Sequence, residues 1–272
     1  MTKPIIFALK KGDLYTLLMP MIQLPKTTLF YAAHLPDDAQ QTIVLIHGAG
    51  GSHLVWPAVL RRLPQTAVYA IDLPGHGRSH PPGRQTIAAY AQDVLDFIEA
   101  LSLQNVVLLG HSMGGAIVQQ IGLAAPPSVT GLILLGTSAK LRVSPHILDA
   151  ISTDVETVVD LLNQFFWGSM PSADMLNKNR QMLLGCPTNV LLDDFLACDQ
   201  FDLREKLPEI TLPTLVISSE NDQMTPPKFG KSLAETLPNA TFALVQQAGH
   251  MMMLEAAGKV AQLVQNFARG WQ

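Results

Sequence analysis

Runs of three or four consecutive apolar residues recur along the chain with no polar alternation: Ile43-Val44-Leu45-Ile46, Val68-Tyr69-Ala70-Ile71, Val106-Val107-Leu108-Leu109, Leu132-Ile133-Leu134-Leu135, Leu215-Val216-Ile217 and Phe242-Ala243-Leu244-Val245. A strand with one face in water alternates apolar and polar residues. A strand that is apolar at every position is buried on both faces. The segments between show helical spacing instead. In 86–101 the apolar positions are Ile87, Tyr90, Val94, Phe97, Ile98 and Leu101, with Asp93, Asp96 and Glu99 mostly opposite. In 256–271 Val260, Leu263, Val264 and Phe267 keep the same rhythm. Strands alternating with helices form right-handed βαβ units, so the predicted fold class is α/β, a mostly parallel sheet flanked by helices. Segment 24–33, ending before Pro36-Asp37-Asp38, fits an antiparallel hairpin at one edge.

The alternation breaks once. About eighty residues separate the run ending at Leu135 from the one beginning at Leu215, and they read as four short helices over 144–152, 155–166, 172–184 and 189–198. A segment that long is rarely a structureless loop. It is predicted as a helical lid inserted between two late strands, over the carboxyl ends of the sheet, where ligand sites of such sheets lie. The expected division is a core of 24–137 and 211–272, a lid of 138–210 and an N-terminal extension of 1–23. That extension carries Lys3, Lys10 and Lys11 before the short run Leu14–Met19. It resembles a signal peptide only loosely, since Pro20 stands where small residues would mark cleavage. A true start near Met19 or Met21 is the other reading.

Composition closes several function classes. Of 272 residues, 48% are hydrophobic, enough for a large core and against disorder as the main state. Eighteen Lys and Arg against 22 Asp and Glu give a net charge of −4 with no basic cluster, so no nucleic-acid partner is expected. No run approaches the roughly 18–20 apolar residues of a membrane span. Cys186 and Cys198 are too few for a disulfide framework or a four-thiolate zinc site, and they read as buried free thiols in a reducing, cytoplasmic setting. No H-E-x-x-H or comparable ligand cluster occurs, so neither metal nor cofactor is expected.

Gly110-His111-Ser112-Met113-Gly114 fits G-x-S-x-G directly after the run 106–109, and a helix from Gly115 to Ala124 follows it, ending before Pro126-Pro127. A serine on a strained strand-to-helix turn needs glycines beside it, because neighbouring backbone passes too close for a Cβ. The helix N-terminus behind it favours developing negative charge. With a strand before and a helix after, the motif outweighs the alternative of an ordinary turn or N-cap serine.

On these residues the chain resembles the α/β-hydrolase superfamily of serine-nucleophile type, similar to carboxylesterases and enol-lactonases, from about Leu24 to the C-terminus. That family orders its triad serine, acid, histidine. Ser219-Glu220-Asn221-Asp222-Gln223-Met224-Thr225-Pro226 resembles its acid loop G-x-x-D-x-x-x-P, with Ser219 in place of glycine. Gly249-His250, with Glu255 five residues on, resembles its G-H-x-x-x-x-E turn. The resemblance implies that Ser112 attacks a carbonyl carbon, that His250 takes and returns the proton, and that Asp222 orients the imidazole. Glu220 is the competing acid. His47-Gly48-Ala49-Gly50-Gly51 resembles the H-G-x oxyanion loop, which implies the N–H groups of Ala49 and Met113 as the oxyanion hole. Asp72-Leu73-Pro74-Gly75-His76-Gly77-Arg78-Ser79 resembles a further fingerprint of the family, and Asp72, His76, His47 and His111 are expected to be structural.

The lid is rich in large apolar side chains, which pack either as lid core or as an acyl pocket. Phe165, Trp167 and, beside His250, Met251 are the substrate-binding candidates. The expected function is a serine hydrolase that cleaves small carboxylic esters or lactones through an acyl-enzyme. Ser112 excludes epoxide opening and halide displacement, which use a carboxylate nucleophile. The same triad would also serve a cofactor-free perhydrolase or haloperoxidase. A proline iminopeptidase would need an acidic amine anchor such as Asp174, Asp193 or Asp194, and a carbon–carbon bond hydrolase would need cations such as Lys178, Arg180 or Arg142. A binding protein without turnover is disfavoured by an intact triad. A small-molecule ester is the expected partner; a homodimer is left open.

Overall fold

The computed structural model describes residues 20–169 and 171–270. Most of the extension expected over 1–23 lies outside them, but the sheet begins three residues before the expected core. Met21–Gln23 (β1) pairs antiparallel with Thr28–His34 (β2), forming the edge hairpin. The remaining strands are Gln41–Ile46 (β3), Thr66–Ile71 (β4), Val106–His111 (β5), Val129–Leu135 (β6), Thr214–Ser219 (β7) and Ala240–Val245 (β8). They form one eight-stranded sheet in the order β1-β2-β4-β3-β5-β6-β7-β8. β2 runs antiparallel to β1 and β4, and from β4 to β8 every pairing is parallel.

Each of the six apolar runs lies within a strand, and successive residues serve opposite faces. Ile43 and Leu45 pack into one hydrophobic cluster, Val44 and Ile46 into the other. The first cluster is covered by Ala58–Arg61 (α1), which supplies Leu60, and by Met252–Glu255 and Ala257–Arg269 (α9 and α10 below), which supply Met252, Val260 and Val264. The second is covered by Ile87–Ala100 (α2), Met113–Ala124 (α3) and Pro227–Thr236 (α8 below), with Tyr90, Phe97, Ile117 and Leu233. Burying a Leu, Ile or Phe side chain contributes roughly 1.5–3 kcal/mol, so the two layers together hold the sheet between them. One strand departs from expectation. β8 is the edge of the sheet, with a neighbouring strand on one side among the described residues, and Phe242 and Leu244 are 37% and 44% exposed there.

Between β6 and β7 the chain forms Pro145–Thr153 (α4), Val155–Phe165 (α5), Ala173–Gly185 (α6) and Thr188–Gln200 (α7), within two residues of the helices read from sequence. After them come α8 (Pro227–Thr236), α9 (Met252–Glu255) and α10 (Ala257–Arg269). From β3 the chain goes to β4 on one side and then to β5 on the other, which opens a crevice between the carboxyl ends of β3 and β5. Among the described residues no helix is long and apolar enough to cross a membrane.

Candidate active site

Ser112 stands in that crevice, between β5 and α3, at φ 54° and ψ −117°. A non-glycine residue at positive φ costs on the order of 1–3 kcal/mol and persists only where its surroundings enforce it. Here they do. The Ser112 N–H donates to Leu135 O at 3.0 Å, and Thr137 Oγ1 donates to Ser112 O at 2.9 Å. A Cβ on Gly110 would collide with the backbone of Gly114, and one on Gly114 with the carbonyls of Ile46 and His47. The two glycines of the motif thus let α3 turn back against both β5 and the loop after β3.

Asp222 and His250, 3% and 2% exposed, meet behind the serine. His250 Nδ1 lies 2.9 Å from Asp222 Oδ2. Asp222 also accepts from Met224 N (2.9 Å), Thr225 N (2.8 Å) and Thr225 Oγ1 (2.8 Å). Burial raises the carboxyl's pKa, but the His250 ring and these donors outweigh it and hold the group below its ordinary range. Thr225 was not singled out in the sequence, yet its hydroxyl touches both partners, lying 3.4 Å from His250 Nδ1. Ser219, the departure from the family's glycine, donates its hydroxyl to Gly249 O at 2.6 Å and so ties the end of β7 to the histidine loop. Glu255 accepts from Gly249 N at 2.8 Å and from Gly168 N at 2.9 Å, fixing that loop to the inserted helices. Glu220 does not compete for the imidazole. It is exposed and accepts from Gln247 N.

His47 and His111 act as loop supports, as expected. His47 Nδ1 donates to Gly48 O at 2.8 Å, while its Nε2 accepts from Leu73 N at 3.0 Å, which fixes the tautomer. Burial, with repulsion from His76, lowers its pKa to about 4. His111 Nε2 bonds His250 O at 2.9 Å; burial and the neighbouring His250 ring lower its pKa to about 3. Both rings are therefore neutral. In the loop they support, Gly51 N donates to Gly48 O and Gly50 N to Asp194 Oδ2, at 3.0 and 2.9 Å. The N–H groups of Ala49 and Met113 have no acceptor among the described residues.

Asp194 is the residue whose placement the sequence did not reveal. It sits on α7, fully buried, and takes His76 Nε2 at 2.7 Å and Tyr90 Oη at 2.6 Å in addition to Gly50 N. His76 Nδ1 faces Pro74 O at 3.0 Å. Both ring nitrogens face acceptors, so both carry hydrogen and the ring is an imidazolium. Burial opposes that charge, but the Asp194 carboxylate overrides it and holds the pKa well above the ordinary value. A buried ion pair thus joins the insertion to the loop after β4, and the bond from Gly50 N joins it to the loop after β3. The signal was present in α7: Val190, Leu191, Phe195 and Cys198 form its buried stripe, and Asp194 falls on that same face.

Ser112 and His250 line one cavity of about 90 Å³, together with Gly48, Ala49 and, from the insertion, Phe166, Met182 and Phe195. A second cavity of about 910 Å³ adjoins it between α6 and the turn at 53–55, and Met251 lines both. The other two substrate-binding candidates do not line either one. Phe165 is 40% exposed, and Trp167 is buried with its Nε1 donating to Asn163 Oδ1. One residue along a helix turns a side chain by about 100°, so Phe166 faces the cavity and Phe165 faces away. Of the acidic anchors considered, Asp194 already takes three donors, Asp193 is half-buried against Gln85, and Asp174 pairs with Lys178 at the outer cavity. Of the cations, Arg142 lines the inner cavity, while Arg180 pairs with Asp160 and Glu156 on the surface. Among the described residues no group of three or more His, Cys, Asp or Glu is arranged to hold a metal.

The arrangement can support attack of a hydroxyl on a carbonyl, with an imidazole–carboxylate pair and two free backbone donors close by. Comparison with known proteins agrees with that chemistry. Residues 43–263 match the model of the Alpha/beta hydrolase family. The chain is 28% identical over 248 residues to the pimeloyl-[acyl-carrier protein] methyl ester esterase of Neisseria meningitidis serogroup B (strain H44/76), covering 86% of this chain and 95% of that one. It is 29% identical over 251 residues to a protein of Caulobacter sp. (strain K31) named as a carbamate hydrolase, RutD, covering 86% and 93%. A thermophilic esterase structure superposes with a TM-score of 0.82 at 28% identity, over 93% of this chain and 98% of that one. The match over most of its length, on the sheet and the serine turn described above, means that the chain belongs to the alpha/beta hydrolase family and is a hydrolase.

Proposed function

We propose that the protein is a serine hydrolase that cleaves small carboxylic esters or lactones through an acyl-enzyme. The observation that carries this is the strained Ser112, facing the same cavity as an imidazole whose far nitrogen is bound to a buried carboxylate. In the proposed cycle His250 Nε2 takes the Ser112 proton as Oγ attacks, and the N–H groups of Ala49 and Met113 receive the oxyanion. The imidazolium then protonates the leaving alcohol, and a water repeats the sequence to free the acid. No bond joins Ser112 Oγ to the imidazole among the described residues, as is common before substrate tightens such contacts. The helices of 138–210 act as a lid, since Phe166, Met182 and Phe195 wall the reacting centre and keep it largely apolar. Two of the three similar proteins are named as esterases and one as a carbamate hydrolase, and the esterase names support the ester as substrate. Two buried, unpaired cysteines fit a reducing cytoplasmic setting.

The test is a fluorophosphonate probe with a panel of p-nitrophenyl esters, a lactone and an aminoacyl anilide. Ser112 should be labelled, and Ser112→Ala should abolish both labelling and turnover without changing the melting temperature. Labelling at Ser52, Ser79 or Ser138 would overturn the assignment. Bromination of monochlorodimedone with acetate and peroxide, faster than any ester hydrolysis, would move the reading to the perhydrolase.

A further inference from the structure

A further imidazole–carboxylate pair, His53 with Asp72, stands at the larger, outer cavity. Asp72 follows β4 and is fully buried. Its Oδ1 accepts from His53 N at 2.6 Å and meets His53 Nδ1 at 2.8 Å, while Oδ2 accepts from Arg78 N at 2.9 Å. Burial would raise the pKa of this carboxyl, but the bonds from His53 outweigh it and hold the group below its ordinary value. A carboxylate can only accept, so the hydrogen sits on Nδ1. The Phe30 ring packs 4.9 Å from the imidazole, and Ser52 Oγ accepts from Leu54 N to fix the turn that carries it. Nε2 is left over. It has no partner among the described residues, yet it is not one of the buried side-chain atoms shut away without one, which are Trp56 Nε1, Gln119 Oε1 and Asn179 Oδ1. Nε2 is therefore open to solvent, although His53 as a whole is only 4% exposed. His53 lines the outer cavity and not the inner one, so that nitrogen opens onto the outer space.

The surroundings favour an anion there. Arg78, Lys178 and His53 line this cavity against one acidic side chain, Asp174, which is itself bonded to Lys178 at 2.7 Å. The Arg78 guanidinium lies 4.4 Å over Phe30, the same ring that packs against His53. With an acidic oxygen at Nε2 the imidazole would stand between two anions and carry hydrogen on both nitrogens, the added proton coming from solvent. His76 already has an acceptor at each of its ring nitrogens in this molecule. Between the two cavities the shared wall includes Val55, Met182 and Met251, all apolar. We infer that His53 forms an anion-binding subsite in the outer cavity, where its Nε2 takes the acidic oxygen of a carboxylate or phosphate borne by the substrate at the end remote from the reacting carbonyl. The substrate class is therefore an ester with an apolar arm that ends in an anionic group. This deepens the proposed ester hydrolysis and rests on it.

The experiment measures kcat/KM, by acid release in a pH-stat, for methyl hydrogen dicarboxylates from succinate to azelate. Each is paired with the methyl ester of the corresponding monoamide, which keeps the shape and removes the charge. Methyl esters bearing a terminal phosphate or a terminal hydroxyl at the same lengths complete the series. In the wild-type enzyme the charged ester should be preferred about tenfold or more at one or more lengths, since a hydrogen bond to a charged group contributes at least that factor. The larger preference, for carboxylate or for phosphate, identifies the anion. In His53→Phe, which keeps a ring against Phe30, and in His53→Leu as a second substitution, the preference should fall about tenfold. Inhibition of the wild-type enzyme by the dicarboxylic acids and by their monoamides gives the same comparison without any variant. Ratios of one or below for both anions at every length, a terminal hydroxyl preferred to both, or a preference unchanged in both variants would overturn the inference and leave ester hydrolysis standing. Absence of turnover for every ester, with no probe on Ser112, would instead overturn ester hydrolysis itself.

Discussion

Asp222→Asn separates orientation of the imidazole from every other feature of the site. Asp222 Oδ1 accepts two backbone N–H groups, from Met224 and Thr225, at 2.9 and 2.8 Å. An asparagine therefore keeps its oxygen there and must place its NH2 where Oδ2 was. That position faces His250 Nδ1 and Thr225 Oγ1. The amide then donates to Nδ1, which must be unprotonated, and the proton moves to Nε2. An imidazole protonated at Nε2 cannot accept from Ser112. The expected loss is about 10³–10⁴ in kcat, or roughly 4–5.5 kcal/mol of transition-state stabilisation. Stability should fall by only about 1–2 kcal/mol, because Thr225 Oγ1 can reverse its bond and the two backbone bonds remain. Initial rates on p-nitrophenyl butyrate near pH 7, with urea unfolding in parallel, measure both quantities. Glu220→Gln is the control and should stay within about twofold, its carboxylate being exposed and bound only to Gln247 N. Activity of Asp222→Asn within tenfold of wild type, or an equal loss in Glu220→Gln, would refute the assignment of the acid.

Other outcomes follow from the supporting groups. Asp194→Ala orphans Tyr90 Oη, the His76 imidazolium and Gly50 N at once, and should cost about 3–5 kcal/mol in urea unfolding, with kcat reduced more than KM is raised as the Ala49 donor loses its support. His76, with its pKa raised by Asp194, contributes stability that is fully present below the unfolded value of about 6.5 and is lost as pH climbs through the higher folded one; Asp194→Asn should flatten that alkaline decline in unfolding curves. His111 has the opposite sign. It is neutral in the fold down to about pH 3, so the unfolded chain alone binds the proton below about 6.5, and stability should fall by about 1.4 kcal/mol per pH unit from this ring between pH 6 and 4. His111→Asn, which can still donate to His250 O, should remove that increment from the slope of unfolding free energy against pH. The acyl series from acetate upward should rise to an optimum at about four to eight carbons, each buried CH2 contributing roughly 0.8 kcal/mol; a steady fall from acetate would place Met182, Phe166 and Phe195 in packing alone.

The parts of this molecule that could be read from sequence are those fixed by local rules. An apolar run of four residues has few options besides a doubly covered strand, and a serine between glycines after such a run has few besides a sharp turn. Ser112, Asp222 and His250 lie in loops that local rules mark out, and the structure brings the three loops together at the carboxyl ends of β5, β7 and β8. What stayed hidden depends on partners far apart in the chain. Asp194 meets His76 and Tyr90 across 118 and 104 residues, and no spacing rule reports that. Phe165 and Phe166 differ by one helical step, which composition cannot resolve. β8 was read as doubly buried because its residues are apolar, but apolarity does not say whether a strand lies inside the sheet or at its edge.

The buried pair between His76 and Asp194 bears on how molecules enter and leave. Withdrawing α7 would leave an imidazolium and a carboxylate unpartnered, at about 3–5 kcal/mol, so such a state is populated on the order of one part in a few hundred to a few thousand. Entry through so rare a state would lower the apparent affinity by the same factor. The opposite wall is made differently. α6 meets solvent through the exposed Asp174–Lys178 pair, which contributes little, and borders the larger cavity beside the turn at 53–55. If the insertion opens, α7 should stay with the sheet and the seam between α6 and residues 53–55 should part first, and a crosslink across that seam is then expected to slow exchange without touching the reacting groups.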